Sequence, residues 1–324
     1  MMEQPLGGLD AGELKLLEIF HPYAYKKMAQ AYFSGARFVH YTSADTALRI
    51  IQNEEVWMRK STCMNDFSEI DHGLNCLVGA YREFKERFLS IYDGMYPGIT
   101  KKIEDLFNSW VPIFRNDTYI SCISEHEPNE DRLGRLSMWR AYGGSAGVAV
   151  ILKGTPLLNP TDALRAYTSP VAYLSQDQFN SEFRLFLDGI ERRADLIKTL
   201  GEDNVINRMF EVFRMAMLCT KHPGFAEEKE WRVIYSPTFH ASDRIKPSIQ
   251  SIGGVPQKIY RIPLKNAEDE NLVGIEVPEI IDGIIVGPTQ FPIEIREALV
   301  EVLTTRGMQD AARKVVISDI PLRN

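Results

Sequence analysis

Cysteine is scarce in this chain of 324 residues, and its four thiols, Cys63, Cys76, Cys122 and Cys219, form neither a CxxC pair nor an even framework. A chain this long needs no disulfide staples, so a reducing, cytoplasmic setting is expected. No run approaches the roughly 18 apolar residues that span a bilayer, and the N-terminus lacks a basic stretch followed by an apolar one. Neither membrane insertion nor secretion is expected. Positive charge is short as well: 37 Lys and Arg face 44 Asp and Glu, for a formal charge of −7 and a pI near 5.5. That balance argues against non-specific nucleic-acid binding through bulk charge and leaves only a local basic patch. The six histidines, at 21, 40, 72, 126, 222 and 240, show no HExxH or paired spacing, and Cys219 with His222 is half of a site, so no metal is expected. GxxxxGK[ST] and GxSxG are absent too. Gly143-Gly144-x-x-Gly147 precedes a strand pattern where a dinucleotide loop would precede a helix, which argues against a Rossmann site.

What is present is an ordinary globular composition, 44% hydrophobic and 25% charged. The chain is organised around residues 119–153. Tyr119 to Ser124 alternates apolar and small polar residues, as a strand does. Arg135 to Tyr142 fits about two helical turns with Leu136, Trp139 and Tyr142 on one face, and Val148 to Leu152 reads as the next strand. Before this stretch the pattern predicts helices on both sides of Pro22, a strand from Arg37 to Tyr41, a helix capped by Ser43, a strand at Val56–Met58, and helices over 67–89 and 99–110. After it come a strand over 163–174, helices over 177–200 and 204–221, and strands at 229–235, 258–262, 280–286 and 314–317, with a helix over 292–305. Ser242 to Val255 reads as the least ordered segment. Helices and strands alternate irregularly, so the expected class is α+β, with a mixed, mainly antiparallel central sheet and helical insertions. A helical segment over 1–36 would precede one domain over 37–320, with a helical sublobe at about 176–221.

Several residues are candidates for chemistry, and each has a structural reading beside it. Asn65, Asp66 and Glu69 have the spacing of a helix cap or of a polar site. Trp139 and Tyr142 form either core or a stacking platform. Glu230 and Arg232 lie two apart on a predicted strand and share a face opposite Trp231; a carboxylate on a central strand needs a partner.

The order Val39-His40-Tyr41-Thr42-Ser43, Asn65-Asp66-x-x-Glu69, Ser121-x-x-Ser124, Met138-Trp139-x-x-Tyr142, Glu230-Trp231-Arg232 and the late Gly287-Pro288 resembles a bacterial family known only as a domain of unknown function. The resemblance runs over about residues 37–320. The family's common Asn-Asp-Pro-Phe-Glu stands here as Asn65-Asp66-Phe67-Ser68-Glu69. The chain is also similar to the ADP-ribosyltransferase-like fold, in which a first strand carries His or Arg, a middle strand Ser or Tyr, and a later strand Glu around an NAD cleft. That resemblance implies NAD as substrate, catalytic roles for Glu230 and His40, and binding roles for Tyr41, Ser121, Ser124, Trp139 and Tyr142; Asn65, Asp66, Glu69 and Arg232 are counted with the cofactor-binding residues. It also implies a macromolecular or small-molecule acceptor. A non-catalytic nucleotide- or ligand-sensing module, and a nuclease or hydrolase using Asp66, Glu69 and Glu230 around Mg²⁺, stand as alternatives.

Overall fold

A computed structural model describes residues 9–63, 69–159 and 161–321. Its contacts divide the chain into two units, one formed by residues 1–29, 60–118 and 169–226, the other by 30–59, 119–168 and 227–324.

The first unit is helical. Its helices are Ala11–Phe20, the start of Pro22–Phe33, Glu69–Glu83, Lys85–Met95, Ile99–Asn116, Gln176–Arg192, Ala194–Lys198 and Glu202–Leu218. Asp10 caps the first with a reciprocal box through Glu13, and Pro22 opens the second, where its missing N–H costs nothing. Aromatic rings fill the core: Phe88 stacks on Tyr92 at 4.4 Å, and Phe107, Phe114 and Phe210 join them. Gly73 lets Glu69–Glu83 approach the backbone of Glu202–Leu218, since a Cβ there would lie 2.3 Å from the Met217 carbonyl oxygen. Two expectations change here. The helix expected over 67–89 breaks at Phe84, and the one expected over 99–110 continues through Pro112 to Asn116, where Trp110 and Phe114 pack on Phe210.

The second unit carries the sheet. In chain order the strands are β1 Arg37–Ser43, β2 Glu55–Lys60, β3 Tyr119–His126, β4 Ala146–Lys153, β5 Tyr167–Pro170, β6 Ala172–Tyr173, β7 Thr220–Lys221, β8 Glu230–Tyr235, β9 Lys246–Ile252, β10 Val255–Pro263, β11 Ile281–Thr289 and β12 Val315–Ile317. Among the described residues ten of them form one sheet in the order β12-β11-β4-β1-β3-β2-β10-β9, with β8 pairing β3 and β5; β6 and β7, which belong to the first unit, pair separately. Only β11–β12 and β6–β7 are parallel among the registers established, so the class is α+β with a mainly antiparallel open sheet. On one face, Val148, Val150, Ile284 and Val286 pack against the helices Ala44–Asn53 and Pro292–Thr305. On the other, Val39, Tyr41, Ala149, Ile151 and Ile285 are covered by Met138 and Trp139.

Three further expectations are revised. The strand expected over 163–174 splits into β5 and β6. Ser242 to Val255 holds a β-hairpin, not a disordered loop: Gly253 and Gly254 have φ of +58° and +80°, the two left-handed residues that a tight hairpin turn requires. Residues 135–142 form one α-turn, Leu136–Met138, followed by a wide π-type turn, Trp139–Gly143. Widening the turn after Trp139 moves Tyr142 off the expected shared face, so Trp139 is 3% exposed while Tyr142 is partly exposed; Leu136, in the preceding turn, is exposed as well.

Candidate functional site

Strand alternation decides which candidate residues can meet. Register pairs Val39 with Ser124, Ser124 with Glu230, and Cys122 with Arg232, so these side chains leave one face of the sheet, and Tyr41 follows Val39 by two residues onto it. His40 has the parity of Phe38, whose ring meets Trp231 edge-on at 5.1 Å on the opposite face. Ser121, opposite Val233, is on that opposite face as well. The structure therefore gathers Tyr41, Ser124, Glu230 and Arg232, and separates His40 and Ser121 from them. Asn65 and Asp66 lie outside the described residues. Glu69 opens the helix Glu69–Glu83 of the first unit, and its side chain is likewise outside the description.

Glu230 and Arg232 are both buried, with the guanidinium Nε donating to the carboxylate Oε1 at 2.8 Å. Burial of either charge alone would cost several kcal/mol, about 3–5 when one partner is removed, so the pair stands or falls together. Lys229, just before Glu230, is held at φ +46°, a left-handed conformation that costs a side-chain-bearing residue about 1 kcal/mol. Its surroundings impose it: the Lys229 carbonyl accepts from the Glu125 N–H at 2.9 Å, and its ammonium pairs with Glu127.

Arg135 is the residue that ties this corner together, and no motif singled it out. Its guanidinium is buried and donates to both carboxylate oxygens of Glu130, at 2.9 and 3.1 Å. It also donates to the carbonyls of Glu125 at 2.9 Å, Glu227 at 3.0 Å and Glu228 at 3.2 Å. One side chain thus pins the end of β3 to the segment that leads into Glu230. The Arg135 backbone N–H donates to the Tyr41 hydroxyl at 2.8 Å. Burial pushes that phenol up to about 12, more than the neighbouring backbone donor lowers it, so Tyr41 stays neutral.

Trp139 is enclosed. Its indole N–H donates to the Leu133 carbonyl at 2.8 Å, and Tyr41 meets the ring edge-on at 4.9 Å. A Cβ at Gly134 or Gly287 would come within 2.7 Å of opposite parts of the ring, so those two glycines are the space it occupies. Tyr142 is partly exposed beside this cluster, with its hydroxyl 3.5 Å from Glu228 Oε1. Of the two aromatic candidates, Tyr142 is the one that presents surface.

His40 and His126 both have lowered pKa values, chiefly through burial. The His40 ring keeps some accessible surface, but its Nδ1 is 2.9 Å from the Cys122 carbonyl and the ring is enclosed enough to disfavour its charged form. His126 shares Asp131 with Arg37, at 2.9 and 2.8 Å. Among the described residues no group of three or more His, Cys, Asp or Glu side chains is placed to hold a metal ion.

An α+β sheet domain with a buried carboxylate–guanidinium pair at the head of a central strand is the class of protein these features define. Within it, residues 138–233 match the model of a family described as "Protein of unknown function (DUF2971)". The matched span opens at Met138 and takes in Trp139, Tyr142, Glu230 and Arg232, and it stops short of His40, Ser121 and Ser124. No curated protein and no solved structure matches the chain.

Proposed function

We propose that the chain is an NAD-using ADP-ribosyltransferase-like enzyme with Glu230 as its reactive-site carboxylate. The observation that carries this reading is Glu230 itself: a buried carboxylate, oriented by Arg232 and facing the same side as Ser124 and Tyr41, directly after a strained residue. Strained backbone held by its surroundings is found where a side chain must be aimed. Cleavage of a nicotinamide–ribose bond develops positive charge on the ribose, and a fixed carboxylate beside it stabilises that charge. Arg232 holds one oxygen of Glu230, Ser124 adds a hydroxyl directly opposite, and Tyr142 offers an aromatic surface for the nicotinamide. His40, on the other face, has no part in this arrangement. Purified protein incubated with NAD and candidate acceptors should release nicotinamide, and Glu230→Gln should lower the rate about 10²-fold or more. No release by the wild type under those conditions overturns the reading.

One observation favours a second reading, a nucleotide- or ligand-sensing module without turnover. Glu230 is already paired with Arg232 at 2.8 Å, as a purely structural pair would be. A wild type that binds NAD without releasing nicotinamide, and a Glu230→Gln variant that binds equally well, would select it. The Mg²⁺ alternative gains no supporting observation, since Asp66 lies outside the described residues.

A further inference from the structure

Among the described residues the large sheet ends on β12, β5 and β9, of three, four and seven residues. The longest of these edges, β9, pairs with β10 alone, in unbroken register from Ile252 opposite Val255 at the hairpin turn to Lys246 opposite Arg261. A two-residue turn makes its flanking pair a hydrogen-bonded one, and bonded and non-bonded pairs then alternate along the strands. Ser248, Gln250 and Ile252 therefore turn their backbone groups to β10, while Pro247, Ile249 and Ser251 turn theirs away from it. A bond on the far side of β10 fixes the same parity. The Leu264 N–H donates to the Glu54 carbonyl at 2.7 Å, so along this stretch the even-numbered positions face β2 and the odd-numbered ones face β9.

The outer edge of β9 is complementary to itself. Its length from Ser248 to Ile252 carries no charge, proline or bulge, the devices that close an edge to partners; Lys246 and Pro247 sit together at one end. Ile249, in the middle, is 68% exposed. Because proline has no N–H, the edge offers the donors of Ile249 and Ser251 and the carbonyls of Pro247, Ile249 and Ser251. A second β9 laid antiparallel over all seven residues sets Ile249 opposite its own counterpart and Ser251 opposite Pro247. The Ile249 N–H groups then donate to each other's carbonyls, and each Ser251 N–H donates to the Pro247 carbonyl of the other copy. Every outward donor is used, and the position that lacks one meets a position that has it. The same register sets Lys246 across from Ile252 and Ser248 across from Gln250, so no like charges face each other. The two Lys246 positions end about 20 Å apart at about 3.4 Å per residue, well beyond a screening length of about 8 Å. In a chain of formal charge −7, residues 246–262 hold no acidic side chain, which keeps the net negative charge of two copies off the contact.

We propose that the edge of β9 is a self-association surface, through which two copies of the chain join their sheets about a two-fold axis at Ile249. A two-fold interface uses one patch twice and needs that patch to complement itself. A foreign strand could take up the same donors, but the full overlap, the absence of facing like charges and the exposed isoleucine on the axis are properties of β9 set against β9. Two strands make a contact at the small end of protein interfaces, so the dimer forms with rising concentration and is not permanent. The proposal goes beyond the NAD reading and does not depend on it, because mass is measured without turnover.

The test is sedimentation equilibrium of the full chain between about 1 and 200 µM. The wild type should rise from 36.9 kDa towards twice that mass. Ile249→Glu sets two carboxylates face to face across the axis, while Lys258 stands opposite the substituted position within the same hairpin. The dissociation constant should therefore rise about tenfold or more with the fold intact. An equimolar mixture of Ile249→Glu and Ile249→Lys should associate more tightly than either variant alone, since the axis then joins opposite charges. Ser251→Pro removes only an outward N–H, which an edge strand tolerates, and should abolish the dimer. Thermal melting of each variant separates lost association from lost folding. A wild type that stays monomeric at about 200 µM overturns the proposal, whether or not its edge accepts a foreign extended peptide. So does a dimer that Ile249→Glu and Ser251→Pro leave unchanged, or a mixture no tighter than its parts.

Discussion

Arg135→Met removes a guanidinium that joins the end of β3 to the approach to β8. The side chain is 8% exposed and its partners are one carboxylate and three backbone carbonyls, so the variant leaves Glu130 and the carbonyls of Glu125, Glu227 and Glu228 without this donor. Removing one member of a buried ion pair costs about 3–5 kcal/mol. A unit of this size loses about 2–4 °C of Tm per kcal/mol, so the sheet-bearing unit should melt about 10 °C lower. Arg135→Lys keeps the charge and loses the fork, and should recover less than half of that loss. Hydrogen exchange adds location: the Glu125 N–H, which donates to the Lys229 carbonyl, and the amides of β8 should exchange faster in Arg135→Met, ahead of those in β4 and β11. In the Arg135→Met background, a further Glu130→Gln change should cost little or even help, since it removes the stranded charge. Melting within about 1 °C of wild type, with β8 exchange unchanged, refutes the account of Arg135 as the tie of this corner.

Two other predictions concern stability. His21 is held at a pKa of about 4, lowered by burial first and then by Arg208 and Arg214. A histidine whose folded pKa is depressed contributes fully above its unfolded pKa of 6.5, and the contribution is lost as pH falls from there towards 4. The ring retains some accessible surface, so about 3 kcal/mol is the upper bound. Urea midpoints between pH 7.5 and 4.5 should fall less steeply for His21→Leu than for wild type, and parallel curves would refute the assignment. Gly287→Ala sets a Cβ 2.7 Å from Trp139 Cζ3 and 3.0 Å from the Gly147 carbonyl oxygen, an overpacking that costs about 1–3 kcal/mol. Trp139→Leu should lower the cost of that same substitution without abolishing it, since the Gly147 carbonyl remains close, and strict additivity of the two in thermal melts would contradict the packing argument.

The elements written in local pattern were legible in the sequence. Pro22, the Ser43 cap and the strand Glu230–Tyr235 each appear where the residues placed them, because caps, prolines and strand alternation act within a few positions, although that strand is buried on both faces and shows no period-two burial. The hairpin at Gly253-Gly254 carried the signal of a two-residue turn, but its strand β9 is half exposed and offers little apolar alternation. Pairing with β10 supplies what composition did not. The candidate site was legible as residue types and opaque as geometry. That Glu230 and Arg232 share a face follows from strand parity alone. Which side of the sheet His40 faces relative to Glu230 depends on the β1–β3 and β3–β8 registers, which no local pattern encodes. Arg135 escaped because a single arginine in a polar loop has no signature; its importance comes from carbonyls more than 90 positions downstream.

The enclosure of Trp139 moves the functional weight of residues 119–153 to other atoms. A ring that fills the space above Gly134 and Gly287 and meets Tyr41 edge-on must break those contacts before it can stack on a ligand. Losing a buried tryptophan's packing costs about 3–5 kcal/mol, more than the ~0.5–1.5 kcal/mol that an aromatic pair gains beyond its buried area. Trp139 therefore holds the wide turn in place, and the turn presents Tyr142. On the adjoining strands the same face carries Ser124, Glu230 and Arg232. Under the proposed NAD reading, Tyr142 and Glu230, and not Trp139, are the groups that would meet substrate.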